Sequence, residues 1–158
     1  MYIIKVENFG EYEIQGMKGY KRLAKVLLIR ESDGKVAVQI RSDDKEVGPG
    51  CIDFSAGGKI DEGETPVDAA VRELYEEIRV KTKLELLDRL EYPRASGNYE
   101  IFVYLGKIDK NIEWFDTFEV KEVRYLSLDE ILDLYRRTKT TLKRFSTTRW
   151  SPHLKDRA

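Results

Sequence analysis

Three carboxylates crowd the stretch RELYEEIR, Arg72 to Arg79: Glu73, Glu76 and Glu77. On a helix they stand three and four residues apart, where like charges repel by roughly 0.2–0.5 kcal/mol per pair. That arrangement suits a divalent cation: several carboxylate oxygens around one ion cancel the repulsion and create a site for polyanions. Just upstream, SAGGKIDEGET is a glycine-rich turn where small residues let the backbone approach a ligand or metal, and Glu64 closes it. A solvated acidic face is the ordinary fate of a glutamate-rich helix, and the turn beside it weighs against that fate here.

The elements that must position these groups follow from pattern. Thr65 suits a helix N-cap, Pro66 the first helical position, and Asp68 complements the positive end of the dipole. Val67, Ala70, Val71, Leu74 and Ile78 recur at helical spacing and are the expected buried stripe, leaving the three glutamates on a neighbouring arc. Upstream, RLAKVLLIR (Arg22 to Arg30) and KVAVQIR (Lys35 to Arg41) flank the turn signal Asp33-Gly34 and predict a hairpin. CIDFSA adds one short strand. Downstream, LELLDRLEY, YEIFVYLGKI and FEVKEVRYL are strand-like, and SLDEILDLYRR starts a second helix with Ser127 and Glu130 in a capping box.

The 158 residues are expected to form one domain, 1–158, with a strand extension over about 1–20 and a helix extension or tail over about 139–158. With 28 basic and 29 acidic side chains the net charge is -1, so nothing global draws the chain to nucleic acid or a membrane. One cysteine, Cys51, excludes an internal disulfide and a cysteine-rich zinc site. One histidine, His153, argues against a histidine cage. Metal chemistry would therefore use oxygen ligands, which favours Mg²⁺, Mn²⁺ or Ca²⁺. No apolar run approaches the roughly 20 residues of a membrane span, and the start lacks a secretory pattern, so the expected location is the cytoplasm.

Gly58, Glu64, RELYEE and Val80 together resemble the signature box of Nudix hydrolases, G-x5-E-x7-R-E-U-x-E-E-x-G-U with U apolar. Six fixed positions match, and such a set arises by chance roughly once in a million windows. Arg79 departs, standing where the box has glycine. If it kept the left-handed turn a glycine supplies, it would cost on the order of 1 kcal/mol; otherwise the helix runs on or leaves by another route. The resemblance implies an α+β fold, a mixed β-sheet sandwiched between helices. It assigns Glu76 and Glu77 as principal metal ligands, Glu73 as ligand or base, the Gly57 carbonyl as a further ligand, and Glu64 to the surrounding support. Mg²⁺ is the implied cofactor, with Mn²⁺ as alternative. Arg72 is suited to pair with a box glutamate and hold its rotamer. From outside the box, Glu119 just before a late strand and Glu100 at a strand start are candidates for an additional metal-binding or catalytic carboxylate.

A second stretch, RSDDKEVGPGCIDFSAGG, is similar to the corresponding segment of isopentenyl-diphosphate isomerases and their hydrolase relatives. In that comparison Arg41 and Lys45 would touch a diphosphate, with Gly58 and Lys59 beside it. The isomerases carry a catalytic cysteine where this chain has Gly57 and a histidine where it has Lys59. The resemblance therefore implies hydrolysis of a diphosphate linkage in a nucleoside diphosphate joined to another group. The isomerase reaction and a non-catalytic nucleotide-binding module are the alternatives. Trp114, Phe115 and Phe118 lie near Glu119 and could stack a base, though core packing or a surface loop is the commoner use of such residues. A small nucleoside diphosphate derivative is the expected ligand; the sequence leaves the oligomeric state open, a homodimer being one assembly it allows.

Overall fold

The computed structural model describes residues 21–45, 49–94 and 97–141. The expected strand extension over 1–20 and most of the C-terminal extension lie outside the described residues.

β1 (Lys21–Arg30) and β2 (Val36–Arg41) form the expected hairpin. Gly34 takes φ 69° in the turn, and its N–H donates to the Arg30 carbonyl at 2.8 Å. The two strands pair only at Leu28↔Ala37 and Ile29↔Val36 and then splay apart. The segment that follows fills the fork: β3 (Ile52–Asp53) pairs with β2, and β4 (Ala56–Lys59) pairs with β1. CIDFSA is thus two strands rather than the single one expected, because the chain changes partner at Phe54-Ser55. Buried Ser55 pins the crossing: its Oγ accepts from the Leu28 N–H at 2.8 Å and donates to the Ala37 carbonyl, one group from each arm of the fork.

β5 (Glu85–Arg94), β6 (Gly97–Ile108) and β7 (Val120–Leu126) complete a seven-stranded sheet. β6 runs parallel to β1, from Lys21↔Tyr99 to Arg30↔Ile108, whereas β5 on β6 and β7 on β2 are antiparallel. The sheet is therefore mixed.

Alternate residues of β1 point to opposite faces. Leu23 and Leu27 join Val38, Ile101 and Ile131, and Ala24, Val26 and Leu28 join Ala70, Leu74 and Ile78. One helix therefore covers each face: α1 (Pro66–Ile78) and α2 (Leu128–Thr141). The Thr65 side chain caps α1, accepting from the Asp68 N–H at 3.2 Å. In the capping box of α2 the Glu130 N–H donates to Ser127 Oγ at 3.1 Å, and the Ser127 N–H donates to the Glu130 carboxylate at 2.6 Å. The α1 stripe needs a correction. Ala70, Leu74 and Ile78 are buried as expected, but Val67 and Val71 are 40% and 47% exposed, and Ala69 and Glu77 are buried in their stead. The helix is rolled so that a carboxylate, not a valine, faces the sheet.

Arg79 ends α1 in the left-handed conformation, φ 54° and ψ 33°, so the chain keeps the glycine-like exit without the glycine. Its N–H donates to the Tyr75 carbonyl at 3.0 Å. The guanidinium stacks over Tyr75 at 4.8 Å and Trp114 at 4.4 Å, contacts that offset the strain of a side chain in this region. Among the described residues no helix is long and apolar enough to cross a membrane.

Candidate active site

The open end of the fork and the inner face of α1 bound a cleft of about 760 Å³. α1 contributes Glu73, Glu76 and Glu77, β4 contributes Gly57, Gly58 and Lys59, and β2 with its following turn contributes Gln39, Arg41, Asp44 and Lys45. The loop before β7 closes the far side with Asp116, Phe118 and Glu119.

The glycines are required by space. A Cβ on Gly58 would lie 2.4 Å from a Glu73 carboxylate oxygen, and one on Gly57 would lie 2.5 Å from the Ala24 carbonyl. Any side chain at either position would push the acidic wall or β1 aside.

Glu77 is the most enclosed of the acids, only 6% exposed. Burial pushes its pKa up to about 8, against the hydrogen bond from Gln39 Nε2 at 2.6 Å and the positive charge of Lys25. Burial also raises Glu73, opposed by Arg72. Arg72 is the organiser of this wall. Its Nε and Nη2 hold both Glu64 oxygens at 2.8 and 3.0 Å, and its Nη1 reaches Glu73 at 2.8 Å and Glu76 at 3.2 Å. Nη2 also donates to the Lys59 carbonyl at 2.9 Å, tying the glycine-rich turn to the helix. The hydrogen bonds from Arg72 lower the Glu64 pKa from its ordinary value. Glu64 is absent from the cleft lining and is held beside it by Arg72.

The opposite wall carries Arg41 and Lys45 and rests on a buried acid. Asp53, fully enclosed, accepts from Arg41 Nη1 at 2.9 Å and lies 3.4 Å from Lys25 Nζ. Burial opposes its ionisation, but Lys25 and Arg41 overcome that and leave its pKa lowered. Lys45 pairs with Glu119, so both sequence-derived candidates meet across the cleft. Glu100 is not brought there. It is buried on β6, where Arg22, at 3.0 Å, and Arg89 hold its carboxylate. Cys51 is partly buried, does not line the cleft, and has a thiol pushed up by burial.

Gln39, Lys25, Asp53 and Asp116 escaped sequence reasoning. The available signal was a polar residue inside an apolar strand run: Lys25 in RLAKVLLIR, Gln39 in VAVQIR and Asp53 in CIDF. Asp116, in the loop before β7, carried no such signal.

Among the described residues no three acidic side chains converge as a ready cation cage, since Arg72 holds Glu73 and Glu76. The donor set nonetheless fits a hard divalent ion in kind: carboxylates and a backbone carbonyl on one wall, with no sulfur or imidazole in the lining.

Residues 20–150 match the family model of the NUDIX domain. The chain belongs to the Nudix family. Nudix hydrolase 3 of Arabidopsis thaliana is 37% identical over 109 residues, covering 69% of this chain and 13% of the plant protein. An uncharacterized Nudix hydrolase of Nostoc sp. is 39% identical over 90 residues, covering 57% of this chain and 52% of that protein. The match thus spans a small part of the plant relative and about half of the cyanobacterial one. Among solved structures, DR0079 from Deinococcus radiodurans superposes with a TM-score of 0.66 at 20% identity, covering 86% of this chain and 82% of that one. The MutT protein of Methanosarcina mazei Go1 gives 0.64 at 20% identity, covering 80% and 98%. At these identities the likeness shows the shared fold, an α+β mixed sheet between helices. The Nudix box maps onto β4, the turn after it and α1.

Proposed function

We propose that this Nudix protein is a divalent-metal-dependent pyrophosphohydrolase, cleaving a diphosphate linkage in a nucleoside diphosphate joined to another moiety. One observation carries this reading: the acids Glu73, Glu76 and Glu77 share a single cleft with the cations Arg41, Lys45 and Lys59. A diphosphate needs both kinds of wall. Its oxygens repel an incoming nucleophile, and its leaving group departs with added negative charge. Arg41, Lys45 and Lys59 supply fixed positive charge for those oxygens. Glu73, Glu76, Glu77 and the Gly57 carbonyl, with Glu119 as a further ligand, would hold a Mg²⁺ or Mn²⁺ ion, which would supply charge neutralisation and acidify water. In the step itself water oxygen bonds to phosphorus, the bridging P–O bond breaks, the leaving phosphate takes the electron pair, and a carboxylate accepts the proton lost by water. Glu73 and Glu119 are the candidates for that carboxylate. Arg72 acts as a positioning residue, holding Glu73 and Glu76 in register with the turn.

Nothing in the cleft favours the isomerase alternative. Gly57 and Lys59 stand in place of its cysteine and histidine, and the one thiol is elsewhere. The plant relative is named a hydrolase, which agrees with the proposal.

The test is product release from nucleoside triphosphates, dinucleoside polyphosphates, ADP-ribose and nucleotide sugars, with Mg²⁺, with Mn²⁺ and with chelator. Glu77→Gln is expected to lose at least about a hundredfold in turnover while keeping its unfolding midpoint. Wild-type turnover in that variant would overturn the metal role. Nucleotide binding without product at saturating metal would identify a binding module instead.

A further inference from the structure

A lysine is a costly residue to bury, and Lys25 is only 3% exposed, between the fully buried Ala24 and Val26. Its stem runs against Gly57, its partner across the β1–β4 ladder: a Cβ on that glycine would lie 2.5 Å from Lys25 Cδ. Its Nζ donates to both Asp53 oxygens, at 3.5 and 3.4 Å, and lies 5.7 Å from the centre of the Phe54 ring. Asp53 Oδ2 also accepts from Arg41 Nη1 at 2.9 Å, and Oδ1 accepts from the Phe54 N–H at 2.8 Å. Of these three charged side chains only Arg41 lines the cleft.

Two cations therefore share one buried carboxylate. One would suffice to pair it. With Arg41 alone the charges would cancel, and a diphosphate in the cleft would meet a neutral pair. With Lys25 present the three groups keep one positive charge, and Arg41 is the member placed to offer it to a ligand. We infer that Lys25 is a positioning residue of the phosphate-binding wall: its buried charge engages Asp53, so that Arg41 presents its own to the diphosphate of the substrate. This rests on the reading of the cleft given above. Lys25 also acts on the acids of α1. Burial raises the pKa of Glu77 and of Glu73, and the charge of Lys25 is among those that oppose it. A test must therefore separate the two walls.

Methylenediphosphonate, a diphosphate analogue whose P–C–P bridge water cannot cleave, reports binding without turnover. Its Kd is measured by calorimetry over Mg²⁺ concentrations up to saturation for wild type, for Lys25→Met, and for Lys25→Met combined with Asp53→Asn, with unfolding midpoints alongside. Lys25→Met removes the charge and keeps an unbranched stem against Gly57, and is expected to weaken binding at saturating Mg²⁺ about tenfold. The double variant removes equal and opposite charges, leaves that of Arg41, and is expected to return to within about threefold of wild type. A merely structural role predicts the reverse order, with the double variant binding no better than the single one. That order, a Lys25→Met Kd equal to wild type, or a loss that vanishes as Mg²⁺ is raised, which would place the effect on the acidic wall, overturns the inference. If Lys25→Met alone does not fold, the double variant decides: a Kd near wild type upholds the charge account, and a loss of about tenfold overturns it. A wild-type protein that does not bind the analogue overturns the inference together with the phosphate site it serves. The expected pattern in a protein that cleaves none of the substrates tested above upholds it and counts against the hydrolase reading alone.

Discussion

β2 has two faces that do different work. Val36, Val38 and Ile40 point into the apolar core shared with Leu23, Ile101 and Ile131. Ala37, Gln39 and Arg41, alternating with them, run along the other face from the core under α1 into the cleft. Both sets are buried, yet only the second becomes polar, and it does so where the fork opens and β1 no longer covers it. Burying Gln39, Arg41 and Asp53 gains little as packing, because polar groups leave water at a cost that only hydrogen bonds and ion pairs recover. Their placement is explained by what they hold: Gln39 grips Glu77, and Asp53 grips Arg41.

The largest effect expected follows from that ionic floor. Asp53→Asn removes the buried charge that Lys25 and Arg41 share, and should destabilise the fold by about 3–5 kcal/mol at pH 7. The pH dependence has a definite sign. The Asp53 pKa is lowered in the fold from 3.8, so its stabilising contribution is present above that value and is lost as pH falls through the folded pKa. Urea unfolding should therefore show the gap between wild type and variant narrowing below about pH 4. A gap constant from pH 7 to pH 3 would mean the ion pairs contribute nothing.

On the apolar face, Leu23→Ala removes a fully buried side chain and should cost about 2–5 kcal/mol. Here stability and function should part. Turnover per folded molecule is expected to stay at the wild-type level, because Leu23 packs in the core and does not line the cleft. A change in KM for the cleaved substrate would show that the two faces are not independent.

The same division explains what was legible in the sequence. Local signals were readable because their causes are local: the Asp33-Gly34 hairpin, the Thr65 cap and the Ser127-Glu130 box all appear in the fold. The carboxylate cluster and its glycine turn were readable from spacing, and Glu119 reaches the same cleft. The failures are long-range. Periodicity assigned Val67 and Val71 to the core because it counts apolarity, whereas the roll of α1 follows Glu77 toward Gln39, a partner 38 positions away. The split of CIDFSA depends on where β1 and β2 separate, which no stretch of CIDFSA encodes. Glu100 looked available, but two arginines from β1 and β5 reach it only once three strands are aligned.

The smallest effect concerns Arg79, which belongs to neither face of β2. Two opposed terms meet there. A non-glycine residue in the left-handed region costs about 1–2 kcal/mol, while stacking of a guanidinium on exposed aromatic rings returns about 0.5–1 kcal/mol per contact. Arg79 makes two such contacts, with Tyr75 and Trp114. Arg79→Gly relieves the strain and loses both contacts, so its unfolding free energy should stay within about 0.5 kcal/mol of wild type. Arg79→Ala keeps the strain and loses the stacking, and should fall by about 1 kcal/mol. Wild type and glycine at similar stability and both above alanine, with turnover unchanged, would show that stacking has replaced glycine as the means of ending α1. If alanine were as stable as wild type, the stacking would carry no weight, and the left-handed exit would have to be held by the Arg79 N–H bond to the Tyr75 carbonyl and the loop beyond it.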